Sequence, residues 1–327
     1  MKLVALLALL AAGTALAAPG FKVSGKIPVG GDAGWDYLFV DTAAHRLYVS
    51  HAMKVMVLDL DTQKVVGEIA DTQGVHGIAI APKLNRGYTS NGRTNNVTIF
   101  DLKTLKPLGQ IATGQNPDAI LFDAASNRLL TFNGRSNDAT IIDVATDKVT
   151  ATIPLGGKPE FSVADGKGKV YVNIEDTHKM AEIDAAKGVV VKMYELTGCE
   201  DPTGLAMDTK RRRLFSVCGN KVMVITDPDA GKVVATLPIG ESSDGAAFDN
   251  GFAFSSNGEG TLTVVGEVAG KYAVVETVPT QKGARTMTVD PNTHKLYLPA
   301  ATYGAATSEK KRGAMVPGSF LVLVVSK

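Results

Sequence analysis

The chain has 327 residues and a near balance of charge, with 34 Lys and Arg against 33 Asp and Glu and a formal net charge of +1. Balanced charge argues against non-specific nucleic-acid binding, which needs a basic surface to neutralise phosphates. Length alone suggests two domains, but all-β barrels and propellers of this size often form one.

The first residues predict export. Lys2 supplies a positive start, residues 3–12 form an uncharged apolar run, and Ala15, Leu16 and Ala17 give a small-x-small cleavage site. This pattern is typical of a secretory signal peptide over residues 1–17. The run is too short to span a bilayer, and no later stretch approaches that length. We therefore expect a soluble chain over 18–327, periplasmic or secreted, with no membrane span.

An internal repeat organises the rest of the chain. Each unit has four short segments of alternating apolar residues separated by turn residues. The first segments begin, at intervals of 40 to 43 residues, at Asp36, His76, Asp118, Glu160, Thr203, Asp244 and Arg285. Seven units of four period-2 strands predict an all-β fold, a seven-bladed β-propeller with four antiparallel strands per blade, as one domain over 18–327.

Three segments resemble the YVTN-type propeller repeat: 47–51 (LYVSH), 170–173 (VYVN) and 232–240 (KVVATLPIG). With the export signal, seven such units are similar to the YncE-like group of bacterial periplasmic propellers. The resemblance implies the fold but no single activity. Blades of this type occur in surface-layer proteins, in binding proteins and, more distantly, in lactonase-like and cycloisomerase-like enzymes, so function must be argued from the site.

Two cysteines in an exported chain suggest a disulfide. Cys199 lies in the loop that enters the fifth unit and Cys218 ends the second strand of that unit, so both are expected on one face of one blade. A disulfide is the favoured prediction, with a metal site or free thiols as alternatives.

The last unit is incomplete and carries an insertion. Its strands are expected over 285–290, 295–298 and 320–325, and its fourth strand is missing. Residues 21–27 match the fourth strand of other units, so this N-terminal strand should close the last blade. The insertion, about 302–319, includes Tyr303 and Lys310. It is predicted either to cover the funnel described next or to form a flexible surface loop.

The start of each first strand should line one end of the central channel, on the face where second strands end. The ring of this funnel holds Asp36, His76, Asp118, Glu160, Asp244 and Arg285. Its rim adds His51, Asn91, Arg93, Asn133, Arg135, Asn173, Glu175, Asn257 and Glu259. These residues are the predicted ligand-binding set. The Asn-Gly steps equally suit tight turns, where both residues tolerate positive φ.

Four carboxylates converging on one axis should raise some of their own pKa values. A bound cation, pairing with Arg285 and His76, or a water-filled channel would each relieve this repulsion. The candidate metal ligands are Asp36, His76, Asp118, Glu160 and Asp244. Oxygen donors with one histidine favour a divalent cation such as Ca²⁺, Mg²⁺ or Mn²⁺.

The favoured function is a monomeric, non-catalytic binding or scaffold protein for a small ligand or a periplasmic protein partner. A lactonase-like hydrolase or lyase is the alternative, with His76 or Glu160 as general base and Arg285 holding an anion. No Gly-x-Ser-x-Gly nucleophile motif supports it. DNA binding is the third and least favoured reading, since it has only the basic run 210–213 and the rim arginines.

Overall fold

The computed structural model describes residues 18–305 and 313–327. The predicted signal peptide lies outside the described residues, as do residues 306–312 of the predicted insertion, including Lys310. Within the described ranges, no helix is both long enough and apolar enough to cross a membrane.

The described residues form 28 strands in seven four-stranded antiparallel sheets, which confirms the seven-bladed propeller. The first four blades contain β2 (Leu38–Asp41), β3 (Arg46–His51), β4 (Lys54–Asp59) and β5 (Lys64–Ile69); β6 (Val75–Ala81), β7 (Arg86–Asn91), β8 (Asn96–Asp101) and β9 (Pro107–Ala112); β10 (Pro117–Asp123), β11 (Arg128–Asn133), β12 (Asp138–Asp143) and β13 (Lys148–Pro154); β14 (Pro159–Ala164), β15 (Lys169–Ile174), β16 (Lys179–Asp184) and β17 (Val189–Glu195).

The last three blades contain β18 (Pro202–Asp208), β19 (Arg213–Cys218), β20 (Val222–Asp227) and β21 (Lys232–Pro238); β22 (Ser243–Asp249), β23 (Phe252–Asn257), β24 (Thr261–Val268) and β25 (Lys271–Pro279); β26 (Thr288–Asp290), β27 (Lys295–Ala300), β28 (Leu321–Ser326) and β1 (Lys22–Pro28). Two short 3-10 helices, Pro82–Leu84 and Glu175–Thr177, follow β6 and β15.

The aspartate that ends the third strand of a blade explains why the chain turns there. The carboxylate of Asp143 accepts the backbone N–H groups of Ala145 and Thr146, and Asp101 accepts those of Lys103 and Thr104. These hydrogen bonds lower the pKa of both aspartates. An Asx turn of this kind specifies the hairpin from local sequence.

The ring closes as predicted. β1 pairs antiparallel with β28, with Ile27 opposite Val322, so the seventh blade combines the two ends of the chain. The Ile27 side chain is buried. Sharing one sheet between the first and last strands removes an open edge and ties the ring together.

The apolar core lies between adjacent blades. Tyr48 of the first blade packs against Phe100 of the second at 5.9 Å between ring centroids, and both are fully buried. The predicted disulfide is also present, since Cys199 and Cys218 are joined and are both buried. It connects the loop before β18 to the end of β19.

Two first strands begin later than the repeat predicted, at Leu38 rather than Asp36 and at Thr288 rather than Arg285. At both of these ring positions the backbone bonds to a serine side chain. Asp36 donates its backbone N–H to Ser50 Oγ at 2.8 Å, and the Arg285 carbonyl accepts from Ser256 Oγ at 2.5 Å.

Candidate ligand-binding funnel

Hydrogen bonds between neighbouring blades fix the backbone of the ring. The Tyr37 N–H donates to the His76 carbonyl at 3.1 Å, and Thr286 Oγ1 donates to the Asp36 carbonyl at 2.7 Å. On the other side of the ring, Thr203 Oγ1 donates to the Ser243 carbonyl at 3.2 Å. The fold therefore holds the backbone of the ring residues in place, even where this brings side chains of like charge close together.

Serines near the ends of the second strands tie those strands to the ring. Ser90 Oγ accepts the Gly77 N–H at 2.9 Å and donates to the Asp118 carbonyl. In blade one Ser50 Oγ accepts the Asp36 N–H, and Ser256 Oγ of blade six donates to the Arg285 carbonyl of blade seven. The second-strand ends and the ring thus meet at one end of the channel.

His76 is the centre of the first charged cluster. Its Nδ1 lies 2.6 Å from Asp36 Oδ2 and 3.6 Å from Asp118 Oδ1. Burial alone would lower the pKa of His76, but the hydrogen bond to Asp36 and the charges of Asp118 and Asp36 outweigh it and raise the pKa to about 9. The imidazole is therefore protonated at neutral pH. Burial, together with the charge of Asp36, raises the pKa of Asp118 to about 6.

Glu160 belongs to a second cluster, whose cation is Lys158. Lys158 Nζ lies 2.6 Å from Glu160 Oε1 and also pairs with Glu175. Burial, together with the charge of Asp118, raises the pKa of Glu160 to about 8, although Lys158 opposes the shift. Glu160 is therefore largely protonated at neutral pH.

Arg285 joins the acidic residues on the far side of the ring. Its guanidinium pairs with Asp244 and lies 3.8 Å from Asp36 Oδ1. Across the funnel, five carboxyl groups (Asp36, Asp118, Glu160, Glu175 and Asp244) face three cationic groups (His76, Lys158 and Arg285). Carboxyl groups outnumber cationic groups in the funnel, and this excess adds to burial in raising the pKa values of Asp118 and Glu160.

Three of the five predicted metal ligands come together. One donor atom each from Asp36, His76 and Asp118 lies within 4.8 Å of the others. Glu160 and Asp244 are instead engaged by Lys158 and Arg285. Two carboxylates and an imidazole suit a hard or borderline divalent cation. Because a metal-bound imidazole must be unprotonated at its donor nitrogen, binding through Nδ1 would displace the proton that His76 holds.

Two aromatic rings lie next to the polar ring in the channel. Tyr37 and Phe161 directly follow Asp36 and Glu160, and their centroids are 4.8 Å apart. Burial, with the charges of Asp118 and Asp36, raises the pKa of Tyr37 well above its usual value. Tyr37, Phe161 and the inner strands line a cavity of about 410 Å³. Its lining includes Phe39, Ile80, Phe122, Met207, Phe248 and Val289.

The predicted rim asparagines point into the blades. Asn91 donates to Asn96 and Thr98, both at 2.8 Å, and is fully buried. Asn133 and Asn257 are also buried and make the equivalent bonds to the third strands of their own blades. Asn173 instead donates to the Thr203 carbonyl of the next blade at 3.0 Å. The amides of Asn91, Asn133 and Asn257 therefore turn away from the channel, but neither residue of these three Asn-Gly steps has the positive φ that the turn interpretation expected.

The remaining rim residues are dispersed. His51 is buried with its ring 4.9 Å from that of Phe320, and this burial lowers its pKa. Arg93 and Arg135 are exposed. Glu259, also exposed, accepts the Glu241 N–H at 3.0 Å. Within the part of the chain that the structure describes, Glu175 is the one rim residue that pairs with a charged residue of the funnel, Lys158.

Two important residues of the funnel were not predicted, Lys158 and Tyr37. Lys158 precedes Glu160 by two positions, and two residues that far apart on an extended chain face the same side. This spacing was available in the sequence. The position of Tyr37 depends on contact with Phe161 from a blade three units away, and no local pattern predicts that contact.

Neither a protein family model nor a curated protein matches the chain. Among solved structures it is similar to hydrazine synthase of Kuenenia stuttgartiensis, with a TM-score of 0.70 and 18% sequence identity over 82% of this chain and 92% of that chain. A likeness at this identity shows the propeller fold alone. The resemblance to YncE-like propellers therefore stays a prediction from the sequence.

Proposed function

We propose that this chain is an exported binding protein whose funnel takes a divalent cation between Asp36, His76 and Asp118. The observation that carries the proposal is the convergence of these three donors in a funnel with an excess of carboxyl groups. Burial, together with the charge of Asp36, raises the pKa of Asp118, and a cation there would relieve the part due to charge repulsion. Export is supported by the signal-like N-terminus and by the disulfide, which suits an oxidising compartment.

Binding is preferred to catalysis because of the charge state of His76. With a pKa of about 9, His76 holds its proton at neutral pH and cannot act there as a general base. The hydrolase or lyase alternative would have to use Glu160, whose own cation partner is Lys158. No contact in the described residues prepares a nucleophile beside Glu160.

DNA binding has weaker support, because acidic neighbours neutralise the basic run. Arg212 pairs with Asp229 at 2.9 Å, and Arg213 pairs with Asp227 at 3.0 Å. Arg211 lies 3.8 Å from Asp208. Phosphate binding would have to compete with each of these pairs.

The test is calorimetric titration of chelator-treated protein with Ca²⁺, Mg²⁺ and Mn²⁺, together with metal analysis of protein purified without chelator. We expect one equivalent to bind, and Asp118→Asn to weaken binding at least about tenfold. Binding should release protons and strengthen from about pH 6 to about pH 9, because His76 and Asp118 must lose theirs.

A matched control is Asp61→Asn. Asp61 also faces a histidine, His45, at 3.1 Å, but both side chains are exposed and lie outside the funnel. This variant should bind like wild type. If no metal binds, or if Asp61→Asn and Asp118→Asn lose the same affinity, the proposal is wrong.

A further inference from the structure

A second cavity, of about 640 Å³, opens beside the funnel between blades six and seven. Small-molecule sites commonly enclose roughly 300–1,000 Å³. Ser242 and Gly258 line it from blade six, and Gln281, Lys282, Gly283 and Arg285 line it from the loop that enters blade seven. The opposite wall is formed by Ala301, Thr302, Tyr303, Gly304 and Gly313.

Hydrogen bonds hold these walls in place. The Gly283 N–H donates to the Gly258 carbonyl at 2.8 Å, which links the loop before blade seven to the turn of blade six. On the other wall, the Gly304 N–H donates to the Ala314 carbonyl at 2.8 Å, and Tyr303 forms an isolated β-bridge with Met315. The cavity is therefore part of the folded ring.

The charge of this cavity is opposite to that of the funnel. Its two charged lining residues, Lys282 and Arg285, are both cationic, and no carboxylate side chain is among its described lining residues. Arg285 pairs with Asp244 and approaches Asp36, but a guanidinium has five N–H donors in a planar fork. Lys282 is exposed and makes no ion pair within the described residues.

The cavity also has an aromatic wall. The ring of Tyr303 lies 6.3 Å from that of Trp35, which stacks on Phe320 at 5.0 Å. Aromatic rings packed in this way give a rigid apolar surface for a flat ligand. Ser242, Thr302 and Gln281 add polar side chains around it.

We propose that the cavity between blades six and seven binds a carboxylate attached to a flat ring, with the carboxylate at Lys282 and Arg285 and the ring against Tyr303. Cationic side chains recognise the anion, as they do in other carboxylate sites. The inference is separate from the cation site, because its ligand and its decisive residues are different.

Trp35 provides the readout. It is the single tryptophan of the chain and lies against Tyr303, so its fluorescence should respond when a ring binds that wall. The probes are benzoate, its neutral isostere benzamide, and inorganic phosphate as competitor. Calorimetry of the same titrations gives the affinity directly.

We expect benzoate to bind and benzamide to bind at least about fivefold more weakly, since only benzoate carries the charge. Lys282→Gln should weaken the binding of benzoate by about fivefold. Lys271→Gln, at an exposed lysine on β25, should leave it unchanged. Asp118→Asn should also leave benzoate binding in place, which separates this site from the cation site.

Three results would overturn the inference: no binding of benzoate, equal binding of benzoate and benzamide, or equal affinity in wild type and Lys282→Gln. If phosphate displaced benzoate at equal concentration, the site would recognise the negative charge and not the ring. That result would also overturn the inference.

Discussion

Replacing Glu160 with Gln tests the electrostatics of the funnel most directly. The Glu160 side chain is 8% exposed, and burial with the charge of Asp118 raises its pKa from 4.5 to about 8. In the folded protein it therefore keeps a proton that the unfolded chain has lost above about pH 4.5. A group that binds protons more tightly when folded makes the free energy of unfolding fall as pH rises.

The magnitude follows from the size of the shift. One pKa unit corresponds to about 1.4 kcal/mol, so the shift of Glu160 sets an upper bound of about 5 kcal/mol. His76 acts in the same direction, because its stabilisation is complete below pH 6.5 and is lost as pH rises through about 9. Comparing wild type with Glu160→Gln removes the contribution of Glu160 and leaves His76 present in both proteins.

The assay is urea unfolding of both proteins from about pH 5 to about pH 9. We expect the free energy of unfolding of wild type to fall, relative to Glu160→Gln, by about 2 to 5 kcal/mol across this range. Lys158 keeps its pair with Glu175 in the variant, so its charge is not left alone. Glu259→Gln is the control: because the exposed Glu259 has a lowered pKa, the free energy of unfolding of this variant should differ from wild type by a constant amount above about pH 5. Parallel curves for wild type and Glu160→Gln would refute the reasoning.

Two further predictions concern the fold. The double substitution Cys199→Ser and Cys218→Ser should lower the free energy of unfolding by about 3 kcal/mol, because the disulfide closes a loop over 19 positions. Denaturation with and without reductant checks this, and a reductant effect that persists in the double variant would contradict it. Ile27→Ala should cost about 3 kcal/mol, because Ile27 is buried where β1 closes the seventh blade. Val65→Ala, at an exposed position of β5, should cost less than about 0.5 kcal/mol, and equal costs would argue against closure by β1.

The repeat made the fold predictable because each blade is specified locally. Alternating apolar residues and the spacing of the units recur seven times, and an aspartate turn follows the third strand in five blades, so an error in one unit does not change the architecture. The match between residues 21–27 and other fourth strands was enough to predict that β1 closes the seventh blade. Spacing alone did not reveal that β2 and β26 begin two and three residues after the predicted ring positions, where the backbone bonds to Ser50 and Ser256.

The funnel was only partly predictable from the sequence. Strand order placed Asp36, His76 and Asp118 at one end of the channel, and the structure brings their donor atoms together. The position of Asn91 in the repeat did not show which way its side chain points. In the structure its amide bonds inside its own blade and does not face the channel. Nor could it show that His51 packs against Phe320. Side-chain direction at a strand end depends on neighbours that are distant in sequence.

The backbone of the ring bears directly on how well the funnel would bind a cation. Asp36 is held by the hydroxyls of Ser50 and Thr286, and the Asp118 carbonyl accepts from Ser90, so neither residue can move away from the other by a small loop shift. Burial and the charge of Asp36 raise the pKa of Asp118, and the two aspartates raise the pKa of His76, so bound protons relieve part of the repulsion between the carboxylates. A divalent cation that replaces the proton would meet ligands already in position, and little binding energy would be spent on ordering them.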